Sequence, residues 1–239
     1  MDRLEPTDPF LQACDALDVR PAPAQVEQLG AYLHLLLETN KQFNLTGIRE
    51  PEAAWMRHIL DSLTFVPFLG DATAVIDVGS GGGLPGIPLA IVRPDLRITL
   101  LEATGKKARF LESACGQLGL EQVAVVCDRA ETAAHDPALR GRFDLAVARA
   151  VGPMSVALEL TLPFLSVGGR LLAAKGKRAE GELREAGDTL MLLGAGDVEV
   201  YDAMPGLDDE AVMVVVRQDR PMPGRFPRRP GMPKQQPLG

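Results

Sequence analysis

The sequence predicts an α/β protein, with a mostly parallel seven-stranded sheet and a small helical N-terminal extension. Three observations carry this. From Thr73 onward, short β-branched runs alternate with segments of helix length, the pattern of a parallel sheet with helices on both faces. The last two runs are joined with no room for a crossover helix, so they pair antiparallel. A glycine-rich loop follows the first run directly, at the carboxyl end of a strand, where ligand sites of open α/β sheets form.

In the extension, Val26, Leu29, Leu33, Leu36 and Leu37 recur at three- and four-residue spacing and predict a helix over Ala24–Leu37. A second helix runs from about Pro51 to Phe65; proline suits its first turn, and Pro67 and Gly70 end it. Strands follow at Ala74–Val78, Arg97–Leu101, Val123–Cys127, Phe143–Ala148 and Arg170–Ala174, then at about Val198–Tyr201 and Ala211–Val216. Helices fall at Lys106–Leu118, Pro153–Leu165 and Arg178–Leu193. The expected organisation is a helical cap (1–70), a sheet domain (71–217) and a basic, proline-rich tail (218–239).

Composition narrows the function classes. The 239 residues are 46% hydrophobic and 24% charged, an ordinary globular balance. The longest apolar runs, Leu190–Leu193 and Ala211–Val216, fall far short of the roughly 20 residues of a membrane span. No apolar stretch of a signal peptide follows Met1, so a soluble cytoplasmic protein is expected. Cys14, Cys115 and Cys127 are odd in number and lack C-x-x-C spacing, and His34, His58 and His135 do not pair at ligand spacing, so neither disulfides nor a metal site is expected. Cys127 reads as a small core residue at a strand end, His34 as structural, and Trp55 as core rather than a base-stacking platform. The net charge of −7 argues against a general nucleic-acid binder. Residues 217–239, however, hold six bases and one acid, net +5, which leaves −12 on the rest. That tail reads either as a disordered end or as a short arm for RNA phosphates.

The densest signal is Val75-Ile-Asp-Val-Gly-Ser-Gly-Gly-Gly-Leu-Pro-Gly-Ile-Pro88, five glycines in eight residues after a buried strand. Glycine is needed where the chain reverses sharply and backbone meets a ligand. Gly81-x-Gly83-x-x-Gly86 also matches the dinucleotide fingerprint, a weak signal by itself. Asp77 favours S-adenosylmethionine over NAD. Its carboxylate would repel a pyrophosphate, yet can hold the loop and face a sulfonium and ammonium. The crowded Leu84-Pro85-Gly86 turn points the same way. Glu102, ending the second strand, is placed to accept ribose hydroxyls of either cofactor.

Further motifs stand in order along the chain: Asn40-x-x-x-Asn44-Leu45-Thr46, Arg57-His58-x-x-Asp61-Ser62, Asp77-Val-Gly-Ser-Gly-x-Gly-Leu-Pro-Gly-Ile-Pro-Leu89, Lys106-Lys107-x-x-Phe110-Leu111, Arg129-Ala130-Glu131 and Ala148-Arg149-Ala150. As a set they resemble the RsmG (GidB) family, bacterial small-subunit rRNA guanine-N7 methyltransferases. The tail Pro227-Arg-Arg-Pro-Gly-x-Pro-Lys234 is similar to the basic ends of many members. The resemblance implies a class I, Rossmann-like methyltransferase fold. It implies methyl transfer from S-adenosylmethionine to N7 of a guanine in 16S rRNA, position 527 in that RNA's usual numbering, with the small ribosomal subunit or an assembly intermediate as partner. It implies cofactor contacts at Gly79, Leu84, Ala130, Glu131 and Arg149, to which the loop and ribose arguments add Gly81, Gly83 and Glu102.

Guanine N7 offers a free lone pair, so the reaction needs positioning and desolvation and no general base. In keeping with that, the sequence carries no Asp-Pro-Pro-Tyr-type tetrapeptide, no Pro-Cys pair after the fourth strand and no Lys/Asp/Lys/Glu set for a ribose hydroxyl. Arg149 is expected on the cofactor or a phosphate, since the usual O6/N7 fork would occupy the nucleophile. Arg57 and Asp61 are spaced for an i,i+4 pair, with His58 and Ser62 alongside. This face and Asn44 are expected near RNA, as are Lys175, Arg228 and Arg229; solvated ion pairs are the plainer reading of the same residues. A small-molecule methyltransferase and an NAD(P)-binding module are the competing function classes.

Overall fold

The computed structural model describes residues 2–208 and 210–238. Its helices and strands run α1 (Asp8–Ala16), α2 (Pro23–Asn40), α3 (Pro51–Ala54), α4 (Asp61–Leu63), β1 (Ala74–Val78), α5 (Gly86–Val92), β2 (Arg97–Leu101), α6 (Gly105–Leu118), β3 (Val123–Val126), α7 (Ala130–Ala133), β4 (Phe143–Arg149), α8 (Met154–Thr161), β5 (Leu165–Lys175), α9 (Ala179–Glu185), α10 (Gly187–Leu193), β6 (Ala195–Asp202), β7 (Val212–Gln218) and α11 (Met232–Gln235). All seven strands join one sheet in the order β3-β2-β1-β4-β5-β7-β6. The first five are parallel, and β7 lies antiparallel between β5 and β6, as its short connection requires. The strand order reverses between β1 and β4, which opens a crevice at their carboxyl ends.

The central strands are mostly apolar because both faces of the sheet are covered, with Asp77, Arg97, Thr99, Asp144 and Arg149 as the polar exceptions on β1, β2 and β4. Val75, Ile98, Leu100, Leu145 and Leu172 pack on one side, together with Phe10, Leu29, Tyr32, Leu36 and Trp55 of the extension. Ile76, Val78, Ala146, Leu171 and Val214 pack on the other with α8, Leu193 and Phe226. The helical extension therefore has no core of its own; it supplies one layer of the sheet's core. Phe10 and Trp55 meet with ring centroids 4.6 Å apart. Gly30 on α2 lets residue 4 pass at backbone contact, since a Cβ there would overlap the Leu4 carbonyl.

Several elements differ from expectation. The predicted helix from Pro51 to Phe65 is interrupted: Trp55–Leu60 forms a wide π-type turn between α3 and α4. The wider turn shifts residues off four-residue spacing. Arg57 and Asp61 therefore do not pair with each other; Arg57 lies 3.8 Å from Asp208, and Asp61 4.0 Å from Arg149. His58 and Ser62 are buried rather than displayed. The predicted helix over 178–193 breaks at Ala186–Gly187 into α9 and α10, glycine being a poor helix former. β5 begins five residues earlier than expected; its register with β4 jumps from Phe143–Leu165 to Leu145–Arg170 across Gly168-Gly169, where Gly168 takes a φ of +87°. Cys127 lies outside β3 and is exposed, because β3 is an edge strand. No described helix is long and apolar enough to cross a membrane.

The tail is not a loose end. Arg140 donates to the carbonyls of Met222, Pro223 and Phe226 at 2.9–3.2 Å. Phe226 is buried in the second core layer, and α11 packs against α8.

Candidate active site

The loop after β1 is shaped by backbone that only glycine adopts without strain. Gly79, Gly81 and Gly83 have φ of +78°, +58° and +97°. The Gly79 and Ser80 amides donate to the Leu101 carbonyl at 2.8 and 3.1 Å, which ties the loop to the end of β2. Asp77 sits beneath it, 1% exposed, and its Oδ2 accepts the Gly86 amide at 2.9 Å. A Cβ on Gly86 would lie 2.7 Å from that oxygen and overlap Leu100. Asp77 thus holds the loop from below; the second expected role, facing the cofactor's charged end, does not fit a side chain so enclosed.

Burial pushes the Asp77 carboxyl from 3.8 up to about 7, against the downward pull of the Gly86 amide and Arg149. The folded protein therefore holds this proton more tightly than the unfolded chain. The stabilisation is complete below about pH 4 and is lost as pH rises through about 7. Asp77→Asn keeps an oxygen for Gly86 and does not titrate, so its melting temperature should gain on wild type across that window. Melting temperatures that run parallel with pH would contradict this assignment.

Glu102 follows β2 and braces the loop from the side. Its Oε2 accepts the Gly81 amide at 2.9 Å and its Oε1 the Thr104 amide at 2.7 Å. A carboxylate has about four lone-pair positions, so acceptor capacity remains for a ligand. The helical extension reaches the same loop: Tyr32 donates its hydroxyl to the Gly82 carbonyl at 2.7 Å, and Leu36 and Leu45 crowd Gly82.

Between the ends of β1, β2, β3 and β4 lies a crevice of about 300 Å³. Of the residues expected to bind cofactor, Gly79, Glu102, Ala130, Glu131 and Arg149 line it together. Gly81, Gly83 and Leu84 do not; they form the turn behind, where the Gly83 and Leu84 amides donate to the Ser80 carbonyl. Asp128, Leu160 and Lys234 also line the crevice, although sequence reasoning did not select them. For Asp128 a signal existed, a carboxylate just past β3 as Glu102 is just past β2. Glu131 is buried, and its Oε1 accepts the Gly231 amide of the tail at 2.8 Å.

Arg149 stands at the crevice's edge and also lines a larger groove of about 940 Å³. Its Nη1 donates to the Arg57 carbonyl at 3.2 Å. The next residue, Ala150, has φ +58°, an uncommon conformation for a residue with a Cβ and one that clusters at functional sites. Burial lifts the nearby Asp61 carboxyl to about 6, despite the opposing charges of Arg149 and Arg57. The described lining of the groove carries as many carboxylates as bases.

The expected RNA-facing residues scatter. Arg57 and Lys175 line the groove, but the Lys175 ammonium is engaged by the Gly152 carbonyl at 2.6 Å and the Glu182 carboxylate at 2.8 Å. His58 turns inward: Nδ1 lies 3.1 Å from the Arg57 carbonyl and Nε2 2.8 Å from the Thr46 hydroxyl. Burial and the Arg149 charge push it down to about 4, so it is neutral at physiological pH. A carbonyl only accepts, so Nδ1 carries the proton and Nε2 accepts from Thr46. Asn44 is exposed on a turn organised by Asn40, whose Oδ1 accepts the Leu45 and Thr46 amides. Arg228 is bound to the fully buried Glu159, a forked pair with contacts of 2.7 to 3.2 Å, so it does not offer a bare charge to phosphate. Arg229 is exposed. Among the described residues no group of three or more His, Cys, Asp or Glu is arranged to hold a metal ion.

A mostly parallel seven-stranded sheet, a glycine loop after β1 and acidic residues past β2 and β3 define a class I methyltransferase, the S-adenosylmethionine-dependent α/β class. The fold is shared with an O-methyltransferase from Bacillus cereus solved in complex with S-adenosylhomocysteine. The two superpose with a TM-score of 0.60 at 17% identity, over 88% of this chain and 97% of that one. Residues 25–206 match the family model GidB, rRNA small subunit methyltransferase G. Two ribosomal RNA small subunit methyltransferases G are 43% identical to the chain: that of Pelotomaculum thermopropionicum over 90% of this chain and 91% of its own length, and that of Rubrobacter xylanophilus over 96% and 90%. The chain belongs to this family of rRNA small subunit methyltransferases G.

Proposed function

We propose that the protein transfers a methyl group from S-adenosylmethionine to N7 of a guanine in 16S rRNA, position 527 in the usual numbering, acting in the cytoplasm on the small ribosomal subunit or an assembly intermediate. The observation that carries this is the convergence of Gly79, Glu102, Ala130 and Arg149 on one crevice at the β1–β4 switch point, in a chain of this family. The crevice suits the cofactor: glycine backbone allows close approach, Glu102 and Asp128 offer acceptors for hydroxyl or amino groups, and Ala130, Val151 and Leu160 offer apolar wall.

When bound, S-adenosylmethionine supplies a methyl group activated by its sulfonium. The chain's own task is placement. N7 carries no proton to remove, so no residue need act as a base, and neutral His58 is turned away from the crevice in any case. The guanine becomes cationic as the methyl arrives, so a bare cation at N7 would oppose the reaction. The Arg149 guanidinium is held by the Arg57 carbonyl beside Asp61, which tethers that charge at the crevice's edge.

A deletion strain tests the reading. Its 16S rRNA should lack 7-methylguanine at the expected position, and a plasmid copy should restore it. Methylation that persists in the deletion strain would defeat the rRNA assignment. Calorimetry should show binding of S-adenosylhomocysteine and none of NADH; the reverse result would favour a dinucleotide-binding module.

A further inference from the structure

The C-terminal segment reaches the crevice through a chain of specific contacts. Arg140 fixes the carbonyls of Met222, Pro223 and Phe226, and His135 Nε2 lies 3.0 Å from the Pro227 carbonyl. Glu159, fully buried on α8, accepts both the backbone amide of Arg228 at 2.8 Å and its guanidinium. Glu131 accepts the Gly231 amide, and α11 then carries Lys234 to the crevice, which Glu102 and Asp128 also line. Ala130 opens α7 and lines the crevice with Glu131, the next residue; Leu160, next to Glu159, lines it too. Two anchors of the tail, Glu131 on α7 and Glu159 on α8, thus sit on elements that also wall the crevice.

A segment whose role was to trail into solvent and gather phosphates would have no need of a buried acid and a fixed backbone path. We propose instead that residues 222–235 form a wall of the cofactor crevice. In this arrangement Glu131 is a positioning residue that acts through the Gly231 amide, and Lys234 donates a hydrogen bond to the bound cofactor. An ammonium is donor only, so the atom it meets is an acceptor on the ligand. The proposal rests on the reading of the crevice as the S-adenosylmethionine site.

The test is calorimetry with S-adenosylhomocysteine on the full chain and on Lys234→Met, Glu131→Ala and Glu131→Gln. It is paired with ligand-free melting and with the salt dependence of binding to a 16S rRNA fragment. Lys234→Met should lose about tenfold in S-adenosylhomocysteine affinity, the size expected for one hydrogen bond to a charged group. Its ligand-free melting temperature should not move, since Lys234 is exposed. Glu131→Ala should also weaken binding, while Glu131→Gln, whose amide oxygen still accepts the Gly231 N–H, should restore it. Undiminished S-adenosylhomocysteine affinity in Lys234→Met overturns the proposal. If that variant also shows weaker RNA binding with a flatter salt dependence, Lys234 belongs to an RNA arm instead. Wild-type protein that itself fails to bind S-adenosylhomocysteine overturns the reading of the crevice, and the proposal with it.

Discussion

Glu102→Ala is expected to yield a folded protein that has lost S-adenosylhomocysteine affinity by about a hundredfold or more. One carboxylate does three jobs here. It braces Gly81 within the loop, braces Thr104 at the start of α6, and on the proposed reading of the crevice keeps lone pairs for the ligand's hydroxyls. Alanine strands both amides and removes the ligand contact, so the losses compound on binding. The fold should persist, because the side chain sits at the rim of the sheet and contributes nothing apolar to either core layer. Glu102→Gln, with a single acceptor oxygen, should fall between. Calorimetry checks affinity and circular dichroism checks the fold. An alanine variant within about threefold of wild type, less than 1 kcal/mol, would show that neither the loop nor the ligand depends on this group.

Arg228→Met is expected to cost about 3 kcal/mol of folding stability, the scale for breaking a buried ion pair from one side. Glu159 is fully buried, and without the guanidinium its carboxylate keeps only the Arg228 backbone amide. Replacing Glu159 as well, in Glu159→Met/Arg228→Met, removes the stranded charge and should recover much of the loss, since apolar replacements of such pairs are often neutral. Urea unfolding measures both. A single-variant loss below about 0.5 kcal/mol would place the pair with exposed ion pairs, which contribute little.

The sequence exposes what local pattern controls and hides what depends on distant partners. β1 and β2 were legible to the residue because their apolar runs end abruptly at Gly79 and Glu102. The loop's turn chemistry was legible because positive φ angles at alternate positions, 79, 81 and 83, demand glycine. The wide turn at Trp55–Leu60 was not; its first residue packs against Phe10, far away in sequence, and no local pattern marks that contact. For the same reason His58 looked like a surface residue: its burial and its Thr46 partner come from a turn in another segment. Read from the sequence, Arg228 is an RNA-facing base and Lys234 one more tail base. Glu159, which fixes the first, lies within an apolar helix pattern where nothing local marks it as a partner. Tyr32 was hidden inside an apolar stripe, its hydroxyl matched to a carbonyl fifty residues away.

The layer that residues 1–70 lay over the sheet bears on how such a gene can be recombined. A splice near residue 70 falls in an exposed turn and looks convenient, yet it divides a single oily seam in which Phe10, Tyr32 and Trp55 interlock with Val75, Ile98 and Leu145. A front segment borrowed from a distant cousin would have to match that seam side chain by side chain, and also place a phenol over Gly82. The two parts are therefore bound to drift together, each constraining the substitutions the other tolerates.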